Sequence, residues 1–228
     1  MSPKNSLKRA NFPSAREEAL QHDQDMPAAY KLAYTDQDFL LREELRGLRF
    51  HLELQKPEMT LQEHNVESTV VIFGSARFPS PDMADQMLAE AERSGDPAEI
   101  RRAKRDKRNS HHYEEARKLA RLITEHSEQC PPDEQLYVVT GGGPGIMEAA
   151  NRGASEAGAD SIGLNIVLPH EQAPNAWISP QFCFRFHYFA IRKMHFLLRA
   201  RALVVFPGGY GTLDELFEAL TLIQTRKA

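Results

Sequence analysis

The sequence predicts an α/β protein, a doubly wound parallel sheet with an N-terminal helical extension. Three observations predict it. Short apolar runs rich in Val, Ile and Phe alternate with amphipathic helical stretches across residues 66–228, the pattern of a parallel sheet wrapped on both faces. Two of those runs lead directly into glycine turns and then into helices, at Gly141-Gly142-Gly143-Pro144-Gly145 and at Pro207-Gly208-Gly209-Tyr210-Gly211. A chain of 228 residues that is 41% hydrophobic is also long and apolar enough to bury one full core.

The elements follow in order. Residues 1 to about 35 are polar and contain Pro3, Pro13 and Pro27, which predicts a loosely ordered arm. From Asp36 to Gln55, Phe39, Leu40, Leu45, Leu48 and Leu52 recur near a 3.6-residue period, so a helix is expected there, with Asp36 or Asp38 as its cap and Pro57 as its end. The polar arm and helix make a first region, 1–65, ahead of the α/β body, 66–228. Thr69-Val70-Val71-Ile72-Phe73 is the first strand, followed by Gly74-Ser75-Ala76-Arg77. A charged region, Asp82 to Glu128, closes with a helix over Tyr113–His126 that packs Ala116, Leu119, Ala120 and Ile123. Leu136–Thr140, Ser161–Leu168 (closed by Pro169), Phe182–Phe186 and Ala202–Phe206 are the further strands. Helices are expected over Ile146–Ala157, Tyr188–Arg199 and, after the second glycine turn, through Leu216–Ile223.

Composition excludes several function classes. A net charge of −4 gives no global basic field for nucleic acid. Arg101, Arg102, Lys104, Arg105, Lys107 and Arg108 form a basic run, but Glu90, Glu92, Asp96, Glu99, Asp106, Glu114 and Glu115 surround it, so a solvated face outweighs an RNA contact. No apolar run approaches the ~20 residues of a membrane span. Residues 1–16 lack an apolar signal core, and Cys130 and Cys183 stand far apart, so a reduced, cytoplasmic location is expected. His111, His112, His187 and His195 show no metal-ligand spacing, and no metal or cofactor is expected.

The glycine turns carry the chemistry. A strand–glycine loop–helix unit leaves backbone N–H groups open at a helix start that bears partial positive charge, which suits phosphate. Gly141, Gly142, Gly143 and Gly145 in one loop, and Gly208, Gly209, Gly211 and Thr212 in the other, are the expected phosphate contacts, with Ser75 as a third wall and hydrogen-bond donor. Neither loop has the Lys of a nucleoside-triphosphatase P-loop. A dinucleotide fingerprint is incomplete, because Ile146 replaces the last glycine and Asp160 precedes its strand instead of ending it. Glu215 fits two readings. Thr212-Leu213-Asp214-Glu215 matches a capping box, and the same carboxylate stands one turn beyond the anion loop, where it would serve catalysis. Arg192, Arg199 and Arg201 enter the same βα unit, and a guanidinium there would hold phosphate or ribose oxygens. Arg185 and His187 are lesser candidates, and Tyr188 or Phe189 would stack on a base.

These motifs together resemble the LOG family of Rossmann-like proteins, the "lonely guy" cytokinin-activating enzymes and bacterial relatives long labelled possible lysine decarboxylases. Gly74-Ser75-Ala76-Arg77, Gly141 to Ala149, Arg192-Lys193 and the complete P-G-G-x-G-T-x-x-E pattern from Pro207 to Glu215 carry the resemblance over roughly Ser68 to Gln224. The longer N-terminus is similar to the family's extended bacterial branch. The resemblance implies hydrolysis of the N-glycosidic bond of a nucleoside 5′-monophosphate, with Arg192 and Glu215 as the catalytic pair and a homodimer or higher homo-oligomer as the assembly. Short members read Met-His-Glu where this chain has Phe189-Ala190-Ile191, and members continue with another strand and helix beyond the position of Ala228. The decarboxylase label finds no support in the residues: its only candidate, Lys193, sits beside an Arg on a helix, with no evident acidic partner. Two rivals stand beside the hydrolase: a non-catalytic nucleotide sensor in the same pocket, and an NAD-linked oxidoreductase.

Overall fold

The computed structural model describes residues 14–20, 27–168 and 173–227. Of the expected arm, residues 1–13 and 21–26 lie outside the described residues, as does Pro169. The chain divides into two compact units, Met1–His51 and Leu52–Ala228.

The first unit is built from short helices. Helix α1 (Ala15–Leu20) begins with a capping box: the Ser14 N–H donates to the Glu17 carboxylate at 2.7 Å, and the Glu17 N–H donates to Ser14 Oγ at 3.3 Å. A 3-10 turn spans Ala28–Tyr30. The single helix expected over 36–55 is broken. Asp36 caps only α2 (Gln37–Leu40), accepting the Phe39 N–H at 3.2 Å. Extended Arg42 separates α2 from a 3-10 turn at Glu43–Leu45, which runs into α3 (Arg46–Glu63). The break is stabilised because Arg49 Nη1 donates to the Leu40 carbonyl at 2.9 Å, taking up an acceptor that α2 leaves open.

Pro57 does not end α3; it is buried inside the helix. A proline at that position withholds the N–H that the Glu53 carbonyl would accept. His195 Nε2 lies 3.3 Å from that same carbonyl and takes the missing donor's place. Tertiary contact therefore carries the helix through a residue that breaks it locally.

The second unit holds five parallel strands: β1 (Ser68–Phe73), β2 (Leu136–Thr140), β3 (Ser161–Ile166), β4 (Cys183–Phe186) and β5 (Ala200–Val205), in the order β4-β3-β2-β1-β5. Val70 lies opposite both Val138 and Ala202, and the β1–β5 register shifts by one residue between Thr69 and Val70. Every residue of β1 is buried, as a strand covered on both faces requires. Val71 and Phe73 face one core with Leu61, Phe182 and Phe196. Val70 and Ile72 face the other, with Tyr113, Ala116, Ile146 and Ala150. Among the described residues, six helices follow α3: α4 (Pro81–Ser94), α5 (Pro97–Asn109), α6 (His111–Ser127), α7 (Ile146–Glu156), α8 (Phe189–Leu198) and α9 (Tyr210–Gln224). This is the predicted Rossmann-like α/β arrangement. The chain leaves β1 toward β2, β3 and β4, then returns to place β5 on the other side of β1. A crevice opens at such a reversal, beyond the strands' C-terminal ends.

A polar hub around the fully buried Asn151 supports that end of the sheet. Asn151 on α7 accepts from Thr140 Oγ1 at 2.7 Å and from Asn175 Nδ2 at 3.0 Å, and donates to Ser161 Oγ at 2.9 Å. Asn151→Ala removes the acceptor of the buried Thr140 hydroxyl, and we expect a loss of about 1–3 kcal/mol in urea unfolding; an unchanged midpoint contradicts the hub's role.

Candidate functional site

A cavity of about 720 Å³ occupies the crevice. Its walls come from the turns after β1, β2 and β5, the end of β3, the start of α8 and the C-terminal half of α5. The main chain of Ser75 ties the three turns together. Its N–H donates to the Pro207 carbonyl at 3.0 Å, and its carbonyl accepts the Ile146 N–H at 3.1 Å.

Of the residues expected from sequence, Ser75, Gly141, Gly143, Arg192, Gly208, Gly209, Gly211, Thr212 and Glu215 all line this one cavity. Gly142 and Gly145 do not. Gly142, at φ +75, turns its backbone against the Asn165 side chain, and its N–H donates to Thr140 Oγ1 at 3.0 Å. Gly145, at φ +72, lies against the Ser75 and Ala76 backbone, where a Cβ would collide. Both shape the loop from behind instead of facing a ligand. The Ser75 hydroxyl accepts the Arg77 N–H at 3.1 Å, which leaves its own proton free to donate.

The second loop leaves a helix start open. Helix α9 starts at Tyr210 with Gly209 as its N-cap, and its first intrahelical bond runs from the Leu213 N–H to the Gly209 carbonyl at 3.1 Å. Thr212 is therefore the third helical residue and not the cap, and Glu215 lies too far along for a capping box. The N–H groups of Tyr210, Gly211 and Thr212 have no partner among the described residues and point from a positive helix end.

Arg192 reaches the cavity floor from α8. Its Nε donates to the Leu164 carbonyl at 2.7 Å, its Nη2 lies 3.5 Å from the Gly141 carbonyl, and its guanidinium packs 4.9 Å from the Phe196 ring centroid. Burial pulls this guanidinium down to about 10, with Glu215 acting in the opposite sense, so it is a cation at neutral pH. Glu215 is only 8% exposed and makes no hydrogen bond among the described residues. Burial raises its carboxyl above the ordinary range, against the pull of Lys193 and Arg192. Lys193 faces the other way. It bridges α8 to α9 through Asp214 at 2.8 Å and Glu218 at 2.9 Å; burial pulls it down, but those carboxylates outweigh burial and push it to about 12.

Helix α8 is held at both ends by α3. The Glu53 carboxylate accepts the N–H groups of His187 and Tyr188 at 2.8 and 3.1 Å. At the other end, Glu58 pairs with Arg199 at 2.5 Å and lies 3.3 Å from His195 Nδ1. Arg199 also donates to the Val66 carbonyl at 2.9 Å, and Arg201 donates to Ser68 Oγ at 3.0 Å, so both brace the sheet and neither lines the cavity. Phe189 lines it, whereas Arg185, His187 and Tyr188 do not.

Sequence reasoning missed the α5 wall, Arg105, Asp106 and Asn109, together with Phe78, Met147 and Asn165. The acid embedded in the basic run was the available signal. Asp160, the acid weighed for dinucleotide binding, precedes β3 and bonds Gln181 at 2.9 Å, at the opposite strand end from the cavity. His111, His112 and Glu115 are the one group among the described residues whose possible metal-ligand atoms all lie within 4.8 Å of one another; they sit at the start of α6, outside the cavity lining.

The Glu215 environment predicts a pH signature. Its folded-state pKa lies above its unfolded value near 4.5, so the folded form binds the proton more tightly. Wild-type stability then falls as pH rises from 4.5 through the folded value. Glu215→Gln should melt higher than wild type at pH 8, with the gain vanishing below pH 4.5. A constant difference across that range contradicts this account.

Comparison with known proteins agrees with the motifs. Residues 147–228 match the family model described as "Possible lysine decarboxylase". The X-ray structure of TM1055, a structural-genomics target, is 22% identical, covering 68% of this chain and 69% of its own, with a TM-score of 0.40. No curated protein matches. No helix of the described residues is long and apolar enough to cross a membrane. The matched residues 147–228 hold Arg192, Lys193 and the whole Pro207–Glu215 loop, so it is this part of the chain that is similar to the family.

Proposed function

We propose that this protein hydrolyses the N-glycosidic bond of a nucleoside 5′-monophosphate, releasing free base and ribose 5-phosphate. The observation that carries the proposal is the meeting, in one cavity, of an open helix N-terminus, a buried guanidinium and a buried carboxylate without a hydrogen-bond partner. The N-terminus of α9 binds the 5′-phosphate. Arg192, fixed by the Leu164 carbonyl, orients the sugar phosphate and keeps Glu215 electrostatically balanced. Cleavage of the C1′–N bond sends its electron pair to the base and leaves positive charge on the ribose ring. Glu215 stabilises that charge and, with its raised proton affinity, takes a proton from the attacking water. The water's hydroxyl stays on C1′, and its proton ends on the released base.

Lys193 does not fit a decarboxylase's Schiff-base amine. Its ammonium is salt-bridged to Asp214 and Glu218 and held at about 12, whereas an amine nucleophile needs its proton affinity lowered.

The proposal is tested by incubating purified protein with AMP and quantifying adenine and ribose 5-phosphate. Wild type should release both in equal amounts. Glu215→Gln and Arg192→Ala should each lose about 10²-fold or more of the rate, the scale of one preorganised charged group. AMP binding without product would identify a nucleotide sensor, and full activity in both variants would remove these residues from the mechanism.

We propose also that the protein pairs with a second copy of itself through α9. Leu213, Phe217 and Leu220 stand at i, i+4 and i+7 on that helix and are all exposed, Phe217 at 61%. Sedimentation should show a dimer that Phe217→Glu dissociates; a monomeric wild type contradicts it.

A further inference from the structure

The crossover from β1 to β2 holds three helices where one suffices. Of the three, only α5 reaches the cavity. Asp106 and Asn109, three residues apart and so on one face of α5, both line it. The Asp106 side chain is 14% exposed and is held by Arg105 at 3.4 Å and Arg102 at 3.9 Å, which fixes the carboxylate's position. Asn109 is half-buried, and its carboxamide has no hydrogen-bond partner among the described residues. A half-buried amide that lines a cavity and bonds nothing is placed to bond what enters. Beside them Phe78 lines the same cavity, its ring stacked on His112 at 5.4 Å and 24°.

Arg105 lines the cavity beside Asp106 and neutralises its charge, so α5 presents polar, hydrogen-bonding groups. With the phosphate on the open start of α9, these groups are left for the base end of a nucleotide. Resting on the nucleotide reading above, we infer that α5 is the base-reading wall, with Asp106 and Asn109 as the specificity-determining residues. The Asp106 carboxylate only accepts, so the base edge opposite it must donate. An exocyclic amine does so, and the Asn109 amide donates to a ring nitrogen beside that amine. Phe78 supplies the apolar face. An oxo group in place of the amine would bring an acceptor against Asp106 and be rejected. The site thus selects amino-bearing bases over their oxo counterparts.

The test measures binding of AMP, inosine 5′-monophosphate and ribose 5-phosphate by calorimetry, in the Glu215→Gln background so that the nucleotides stay intact. AMP should bind about tenfold or more tighter than the oxo nucleotide. Adding Asp106→Asn, whose amide donates to an oxo group, should erase that preference. Adding Asn109→Ala should weaken AMP by about tenfold. Ribose 5-phosphate should bind equally in all three proteins. An unchanged preference in the Asp106→Asn protein, with ribose 5-phosphate still bound, overturns the α5 assignment alone. Failure of ribose 5-phosphate to bind overturns the nucleotide reading with it.

Discussion

The peptide groups on either side of Ser75 hold the functional end of the molecule together. The N–H donates to the turn after β5 through Pro207, and the carbonyl accepts from the turn after β2 through Ile146. These two hydrogen bonds join loops that are more than 60 residues apart in sequence, and both are made at a glycine-flanked bend at the end of the fully buried β1. They also divide labour between the two helix starts. The first N–H of α7 is consumed by the Ser75 carbonyl, whereas the first three of α9 stay open. Open donors are therefore left at the start of α9 and not of α7, although both loops carry the same kind of glycine-rich sequence.

The charged groups are arranged around that site in a consistent order. Arg192 is anchored to main-chain carbonyls of β3 and the β2 turn and not to a carboxylate. Glu215 approaches from α9 and forms no ion pair with it within 4 Å among the described residues. Lys193, the next residue, is turned away and used to lock α8 to α9. The result is a cation and an anion close enough to feel each other and separate enough to share a ligand. Helix α8 itself depends on α3, where Glu53, the carbonyl freed by Pro57, and Glu58 hold its two ends.

Much of this was legible in the sequence. The strands of the sheet centre stood out because burial on both faces demands continuous apolar runs, and β2 falls at Leu136–Thr140 as the pattern predicts. Nine of the eleven expected site residues share one cavity because strand–glycine–helix units all deliver their turns to the same sheet edge. The errors have local causes. Pro57 terminates a helix in isolation, but here a distant histidine takes up the freed carbonyl. Thr212 looks like a cap because the capping-box pattern is present, yet the helix begins two residues earlier, at Tyr210, once Gly209 has closed the turn. Gly142 and Gly145 are indistinguishable in sequence from Gly141 and Gly143; only the loop's fold decides which face the cavity. The α5 wall was hidden because its lining residues sit inside a charge run whose commonest role is a solvated surface.

The account's central claim is that the phosphate of a nucleotide rests on the start of α9 with its sugar between Arg192 and Glu215. A crystal structure with ribose 5-phosphate tests it most directly. The account predicts the phosphate within hydrogen-bonding distance of the N–H groups of Tyr210, Gly211 or Thr212, and sugar hydroxyls facing Glu215. A phosphate seated instead on Arg77 and Arg105, at the opposite wall, would contradict it.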